Sequence, residues 1–434
     1  MSDFQQQVLQ LAAQQQGPHW LSDLRQQAMQ TWQTSPWPTR KTEHWKYTPL
    51  MPLQKEGFQQ WAQAVEGWQQ DVDFIAVDAT RLVFVNGVFA AEASSPLSAE
   101  VVQFSQATDA QQQIIQQHLG KVVEGERHLF ATLSNAVVAD GVLIHIPRNA
   151  VLEKPVYLVH VSTPEAQPAV AQQRVLVVLE EGARGELIEH FVSTAAAQNG
   201  FVNSLTEIVV GDNADLQHYR LNVEEENLLH IGGVHVNLFR NARMRGFTLA
   251  QGSRLKRIDY QISHRGQGAD LNLQGLYLPR NNQMVDYHTN IRHCVPHCTS
   301  SEVFRGIIAD SARAIFNGRI HIYPDAQKTL AELSNRNLLT SNKAEVDTKP
   351  ELEIYADDVK CAHGATVSQL NDEALFYLQS RGVQRKEAEV MMSFGFINEL
   401  LQEVKEPAVQ DYLLPRLAQL FGRDSDLLQR IQHD

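Results

Sequence analysis

The sequence predicts a mainly β protein: a long central run of short strands with amphipathic helices at either end. Three observations carry this. From about Gly141 to Val367, short β-branched or alternating segments follow one another, each bounded by Gly, Asn, Asp or Pro. Helical stretches are nearly missing between them, which excludes a doubly wound α/β fold. Before and after this run, apolar residues recur at helical spacing.

At the N-terminus, Phe4, Val8, Leu9, Leu11 and Ala12 form one such face, and Trp20, Leu21, Leu24, Ala28 and Trp32 form a second. Glutamine is a fair helix former, so the Gln-rich look of residues 1 to about 70 reads as helix surface. The proline cluster SPWPT (35–39) ends these helices. RLVFVNGVF (81–89) reads as a hairpin, because Asn86-Gly87 suits a type I′ turn between alternating runs. Residues 109–120 return to a helical pattern.

The central strands include GVLIHIP, KPVYLVHV, RVLVVLEEG, GELIEHFVS, NSLTEIVVG, DLQHYRLNV and GGVHVNLF. Six later segments begin alike, at residues 241, 252, 268, 281, 300 and 311: a small residue, an alternating strand, a turn. Their uneven spacing fits a sandwich of hairpins or a β-solenoid with irregular coils, and the pattern does not choose. After His363, EALFYLQSRGV, RKEAEVMMSFGFINELLQEV and VQDYLLPRLAQLF carry apolar faces that include Phe376, Met391, Met392, Phe394, Phe396, Leu400 and Leu401. The expected organisation is an N-terminal helical region with a short hairpin (1–120), a β core (121–367) and a C-terminal helical domain (368–434).

The chain has 434 residues and a net charge of −13. That length can bury a core without staples. That charge argues against nonspecific nucleic-acid binding, which needs a basic face. Three cysteines, at 294, 298 and 361, make a disulfide framework unexpected and a reducing, cytoplasmic setting the better reading. The N-terminus lacks the basic start and apolar core of a signal peptide, and no apolar run nears the ~18 residues of a membrane span.

The sequence lacks the motifs of several chemistries. No GxxxxGK[ST] phosphate loop, no GxGxxG after a strand, no GxSxG and no HExxH is present. Aromatic and basic residues in EHWKYTPL (43–50) fit a helix end packed by Trp45 and Tyr47 better than a base-stacking platform. Two stretches hold metal-ligand residue types. His293-Cys294-Val295-Pro296-His297-Cys298 is a single knuckle where structural zinc sites pair two, and its proline reads as a loop between strands. Cys361-Ala362-His363 offers two borderline ligands, and two do not hold a metal alone. A stand-alone metalloenzyme on a β-solenoid would need clustered carboxylates or aromatic subsites along one face, and the loose repeat has no regular Asp or Tyr column.

Several segments together resemble one family. KTEHWKYTPL (41–50), RLVFVNG (81–87), IEHFVS (188–193), ARAIFNG (312–318), NRNLLTSNKAEVDTKPELEIYADDVKCAHGATV (335–367) and LFYLQSRGV (375–383) resemble the SufD family of the SUF iron–sulfur cluster assembly system. The paralogous SufB branch carries additional cysteines that this chain lacks. The resemblance implies a right-handed parallel β-helix flanked by helical regions. It implies a non-enzymatic scaffold that pairs with SufB through the β-helix and with SufC, an ABC-type ATPase, through the C-terminal helices. It implies that His363 lies at the SufB–SufD interface and helps build a nascent cluster with a SufB cysteine. Cys361 is then either a ligand or a thiol exposed by ATP-driven movement. No cofactor would be held stably by this chain alone; the iron–sulfur cluster would be transient. The isolated chain could pair with itself as a homodimer, and neither nucleic acid nor membrane is an expected partner. A purely architectural brace, with His363 a turn residue, is the alternative.

Overall fold

Parallel strands of eight to eleven residues make up most of the chain from Ala169 onward in the computed structural model, which describes residues 2–122, 128–196, 199–224 and 227–421. Consecutive strands alternate between two ten-stranded sheets. One sheet takes Val142–Ile146, Ala169–Leu179, Gly200–Val210 and every second strand up to Glu345–Ile354. The other takes Val156–Ser162, Arg184–Ser193 and every second strand up to Lys360–Gln369. Sandwich hairpins would pair neighbours in sequence and run antiparallel. Here each strand pairs in parallel with the strand one coil later, so the fold is a β-solenoid. From Val142 on, a coil takes 26 residues at its shortest, where Leu229 lies beside Leu255, and 33 at its longest, where Val142 lies beside Val175. The uneven starts in the sequence are therefore half-coils.

Register turns alternation into columns. Ile144, Val177, Ile208, Val236, Ile262, Ile291 and Ile320 stack one above another, and all are buried. Burying each such side chain contributes about 1.5–3 kcal/mol, before the entropy of ordering the chain is subtracted. One corner of seven successive coils, up to the one before the last, has a left-handed backbone. Asn149, Gly182, Asn213, Asn241, Gly268, His297 and Lys328 supply it. The corner amides bond to the next coil, as from Asn213 to the Arg240 carbonyl at 2.7 Å and from His297 to the Gln327 carbonyl at 2.9 Å. Asn tolerates this conformation best among residues that carry a Cβ, so the Asn and Gly at the strand boundaries are structural.

Helices cover the outer faces. At the N-terminus lie α1 (Asp3–Gln14), α2 (Ser22–Thr34), α3 (Met51–Glu56), α4 (Asp109–His118) and α5 (Leu129–Ala136). Ser2 opens α1 with a capping box: its hydroxyl accepts from the Gln5 amide, and Gln5 Oε1 accepts from the Ser2 amide at 2.8 Å. Phe4, Trp32 and Phe130 pack with Phe201, and the same cluster reaches Leu229, Leu255 and Ile315 on the outer face of the first sheet. Trp45 is buried there beneath the Arg257 guanidinium, as expected of a packing residue. The Asn86-Gly87 turn forms as read, with both residues at positive φ.

Two features lie across the boundaries drawn from the sequence. The strand Thr80–Val85 pairs in parallel with Val156–Ser162 and so extends the solenoid before residue 121. Helix α5 sits inside 121–367, and all eight of its residues are buried. A short helix buried on every side has no amphipathic period to read.

After the last coil come α6 (Asp372–Ser380), α7 (Arg385–Gln402) and α8 (Pro407–Leu420). Residues 422–434 lie outside the described residues. Helices α7 and α8 fold back on the second sheet, where Phe394, Ile397, Leu400 and Leu413 meet Tyr219, Leu221, Leu276 and Ile307. The expected apolar face needs one correction. Phe376 is 72% exposed, because Leu375 takes the buried position on α6 and its neighbours turn outward.

Candidate functional site

The solenoid ends on an uncovered coil. Among the described residues, Glu345–Ile354 and Lys360–Gln369 each stand last in their sheet and pair on one side only. Most of Lys360–Gln369 is exposed. Ten-residue strands with free edges are unusual in a finished surface, since they template pairing with another chain.

This coil carries the candidate ligands. Cys361 pairs with Ala331 and His363 with Leu333, both buried core residues. Residues two apart share a strand face, so Cys361 and His363 continue the inward columns at the point where the core opens. Cys361 is half-buried against the core, and burial pushes its thiol up. His363 is exposed, and among the described residues no hydrogen bond or ion pair holds its imidazole. An unanchored, accessible imidazole is free to bind a metal.

The floor beneath is polar and interlocked. Asn335 donates to the Tyr277 hydroxyl at 2.8 Å, Asn337 donates to Asn335 at 2.7 Å, and Thr348 donates to Asn335 at 2.8 Å. Tyr277 donates to Asn337, which also donates to the Thr366 carbonyl at 3.2 Å on the last strand. On the outside, Arg313 grips Asp347 at 2.6 Å, and Arg319 grips Glu353. Hydrogen bonding from Arg319 draws the Glu353 carboxyl down to about 2. The terminal coil is therefore pinned in place before any partner arrives.

Among the described residues, no three His, Cys, Asp or Glu side chains cluster with metal-binding geometry. Cys361 and His363 thus amount to half a site. The 293–298 stretch disperses. Cys298 is fully buried, with its thiol directed at the Gly266 carbonyl at 3.4 Å, and His297 occupies the left-handed corner. His293 lies inside, stacked on His264 at 4.2 Å and bonded to Ser300 at 2.9 Å.

Sequence reasoning missed a charged cluster inside the solenoid. Glu189 meets His218 at 2.8 Å, Arg220 at 3.1 Å and Thr206, all buried. Glu224 pairs with Lys256 at 2.7 Å and with His230. The available signal was parity: Glu189 sits between Leu187 and Phe191 on the inward face of its strand.

Comparison with known proteins bears on this arrangement. Residues 160–396 match the family model described as SUF system FeS cluster assembly, SufBD core domain, and residues 3–158 match the SufBD protein N-terminal region. The chain belongs to the SufBD family. Membership places it in the SUF system of iron–sulfur cluster assembly. Relatives in this family include the iron–sulfur cluster assembly protein SufD of Escherichia coli K12, 34% identical over 88% of this chain and 89% of that one. A SufBD family protein of Synechocystis is 29% identical over 87% and 86%, and SufD of Bacillus subtilis is 27% identical over 92% and 93%.

Proposed function

We propose that this chain is a non-catalytic scaffold subunit of a SufB–SufC–SufD-type complex, acting in the cytoplasm. The carrying observation is the uncovered last coil, with two free strand edges beside an exposed, unbonded His363. A SufB-type paralogue would complete these edges by strand pairing. His363, with Cys361 beside it, would contribute to a transient iron–sulfur cluster whose remaining ligands come from the partner. A half-site suits cargo that must be handed on, whereas a closed four-ligand site retains its metal. The exposed imidazole favours His363 as the ligand, and the raised thiol gives Cys361 the lesser role. Helices α6–α8 would dock the ATPase, with Phe376 and Tyr377 as exposed anchors, 72% and 57% accessible. Differential binding of ATPase states could then move the two solenoids. No helix among the described residues is long and apolar enough to cross a membrane.

The test is a tagged pull-down at native expression level and low salt. Recovery of an ABC-type ATPase and a cysteine-richer paralogue supports the assignment. Recovery of the chain alone contradicts it.

A further inference from the structure

Both sheets end on the last coil, so a partner that adds a strand to each must match the gap between the two free edges. Backbone pairing does not set that gap. Glu345–Ile354 bonds to Arg313–Ile322 and Lys360–Gln369 bonds to Leu330–Leu339, each within its own sheet. An inner coil is also held by side chains packed above and below it. Among the described residues, the last coil has such a layer on one side only.

A line of side chains crosses the interior at this point. Thr348 shares the inner face of its strand with Val346 and Leu352, which pack on the core. Its hydroxyl donates to Asn335 Oδ1 in the other sheet at 2.8 Å. Asn337 Nδ2 donates to the same oxygen at 2.7 Å, and to the Thr366 carbonyl at 3.2 Å. Glu345–Ile354 is thereby tied across the interior to Lys360–Gln369, the strand on which His363 stands three residues before Thr366.

The line is rooted deeper in the solenoid. Tyr277 donates to Asn337 Oδ1, and its oxygen accepts from Asn335 Nδ2 at 2.8 Å. Tyr277 and Asn337 belong to one column, with Gly306 between them. A Cβ at Gly306 would collide with the Tyr277 ring, so the glycine is what lets the ring reach past the intervening strand.

Asn335, Asn337 and Tyr277 are fully buried, and each of their side-chain polar atoms is bonded. Apolar residues of similar shape would give comparable stability, so stability does not account for two amides here. A satisfied buried network adds rigidity and one defined arrangement.

We propose that Thr348, Asn335, Asn337 and Tyr277 form a clasp that fixes the gap between the two free edges, and so act as positioning residues for His363 and for the partner solenoid. This rests on the reading of the last coil as the partner interface.

The first test is amide exchange on the full chain, with alkylation of Cys361 by N-ethylmaleimide mapped by mass spectrometry. Thr348→Val keeps the shape of the side chain and removes the donor. It should speed exchange over residues 345–369 and alkylation of Cys361 about tenfold, the value of one good hydrogen bond. Thr348→Ser retains the hydroxyl and should keep the original rates. Tyr277→Phe should speed the same residues from deeper in the column. The strands Gly200–Val210 and Asp215–Asn222 should not change in any variant. Unchanged rates at the last coil in Thr348→Val and Tyr277→Phe overturn the clasp, as does an equal acceleration through the inner strands. The second test is the pull-down. Thr348→Val should capture less of the paralogue and as much of the ATPase. Equal capture of the paralogue overturns the clasp and leaves the complex standing. Absence of any paralogue with the unaltered chain overturns the complex, and the clasp's role in it.

Discussion

Removing the Glu189 carboxylate should destabilise the chain more than almost any other single change. Burial by itself would raise this carboxyl, but the Arg220 guanidinium and His218 outweigh it and hold it well below the usual carboxylate range. Arg220 is fully enclosed, with Nη1 on Glu189, Nη2 on Ser204 at 2.8 Å and its face over Phe191 at 4.2 Å. Glu189→Leu leaves that cation buried without a counter-ion, which costs about 3–5 kcal/mol. Arg220→Met alone strands the carboxylate at similar cost. The double variant Glu189→Leu/Arg220→Met removes both charges from the same column, and should recover most of the loss. Urea titrations followed by circular dichroism would give the three midpoints. Single variants that shift stability by less than about 1 kcal/mol, or a double variant as unstable as the sum of the singles, would refute the reasoning. The sign with pH is fixed as well. A depressed carboxyl adds stability above the ordinary carboxylate range, and loses it as the pH falls below that range.

Two other perturbations follow from burial. Glu302 is fully buried, and burial pushes its carboxyl up to about 8. Between the usual carboxylate pKa and about 8 the folded chain keeps a proton that the unfolded chain releases. Stability should therefore fall with rising pH in that window, by on the order of 1.4 kcal/mol per unit, and Glu302→Gln should flatten the slope in denaturation curves taken at pH 6 to 9. Ile397→Ala empties a fully buried position between α7 and the second sheet. It should weaken helix docking by about 2–5 kcal/mol, read as faster amide exchange over residues 385–420 with the solenoid strands unchanged.

Much of the fold was legible because it rests on local rules. The alternation at DLQHYRLN and the Asn-Gly turn at 86–87 are short-range signals, and both appear where the residues placed them. The helical faces at Phe4 and Val8 and around Leu400 likewise pack as read. The choice of solenoid over sandwich was not local. It depends on Leu229 pairing with Leu255 rather than with a strand across a hairpin, and only tertiary register decides that. Phe376 illustrates a second limit: a 3.6-residue period does not say which of two adjacent apolar residues finds a core. The site was legible as residue types only. Cys361 and His363 stood out as ligands, but nothing in their spacing showed that they occupy the last coil, with one edge unpaired. The inward charge at Glu189 was masked by Leu187 and Phe191 on the same face, and that at Arg220 by Tyr219 and Leu221, which face the helices instead.

The central claim is that His363 serves a cluster rather than the fold. Its side chain is exposed and unbonded, so His363→Ala should leave the stability of the chain unchanged within about 0.5 kcal/mol. The decisive measurement is iron and acid-labile sulfide in the anaerobically purified complex of this variant with its partners. If His363 serves a cluster, the complex is recovered in normal yield with reduced iron and sulfide. Normal yield with unchanged iron and sulfide would contradict it and leave the chain an architectural brace.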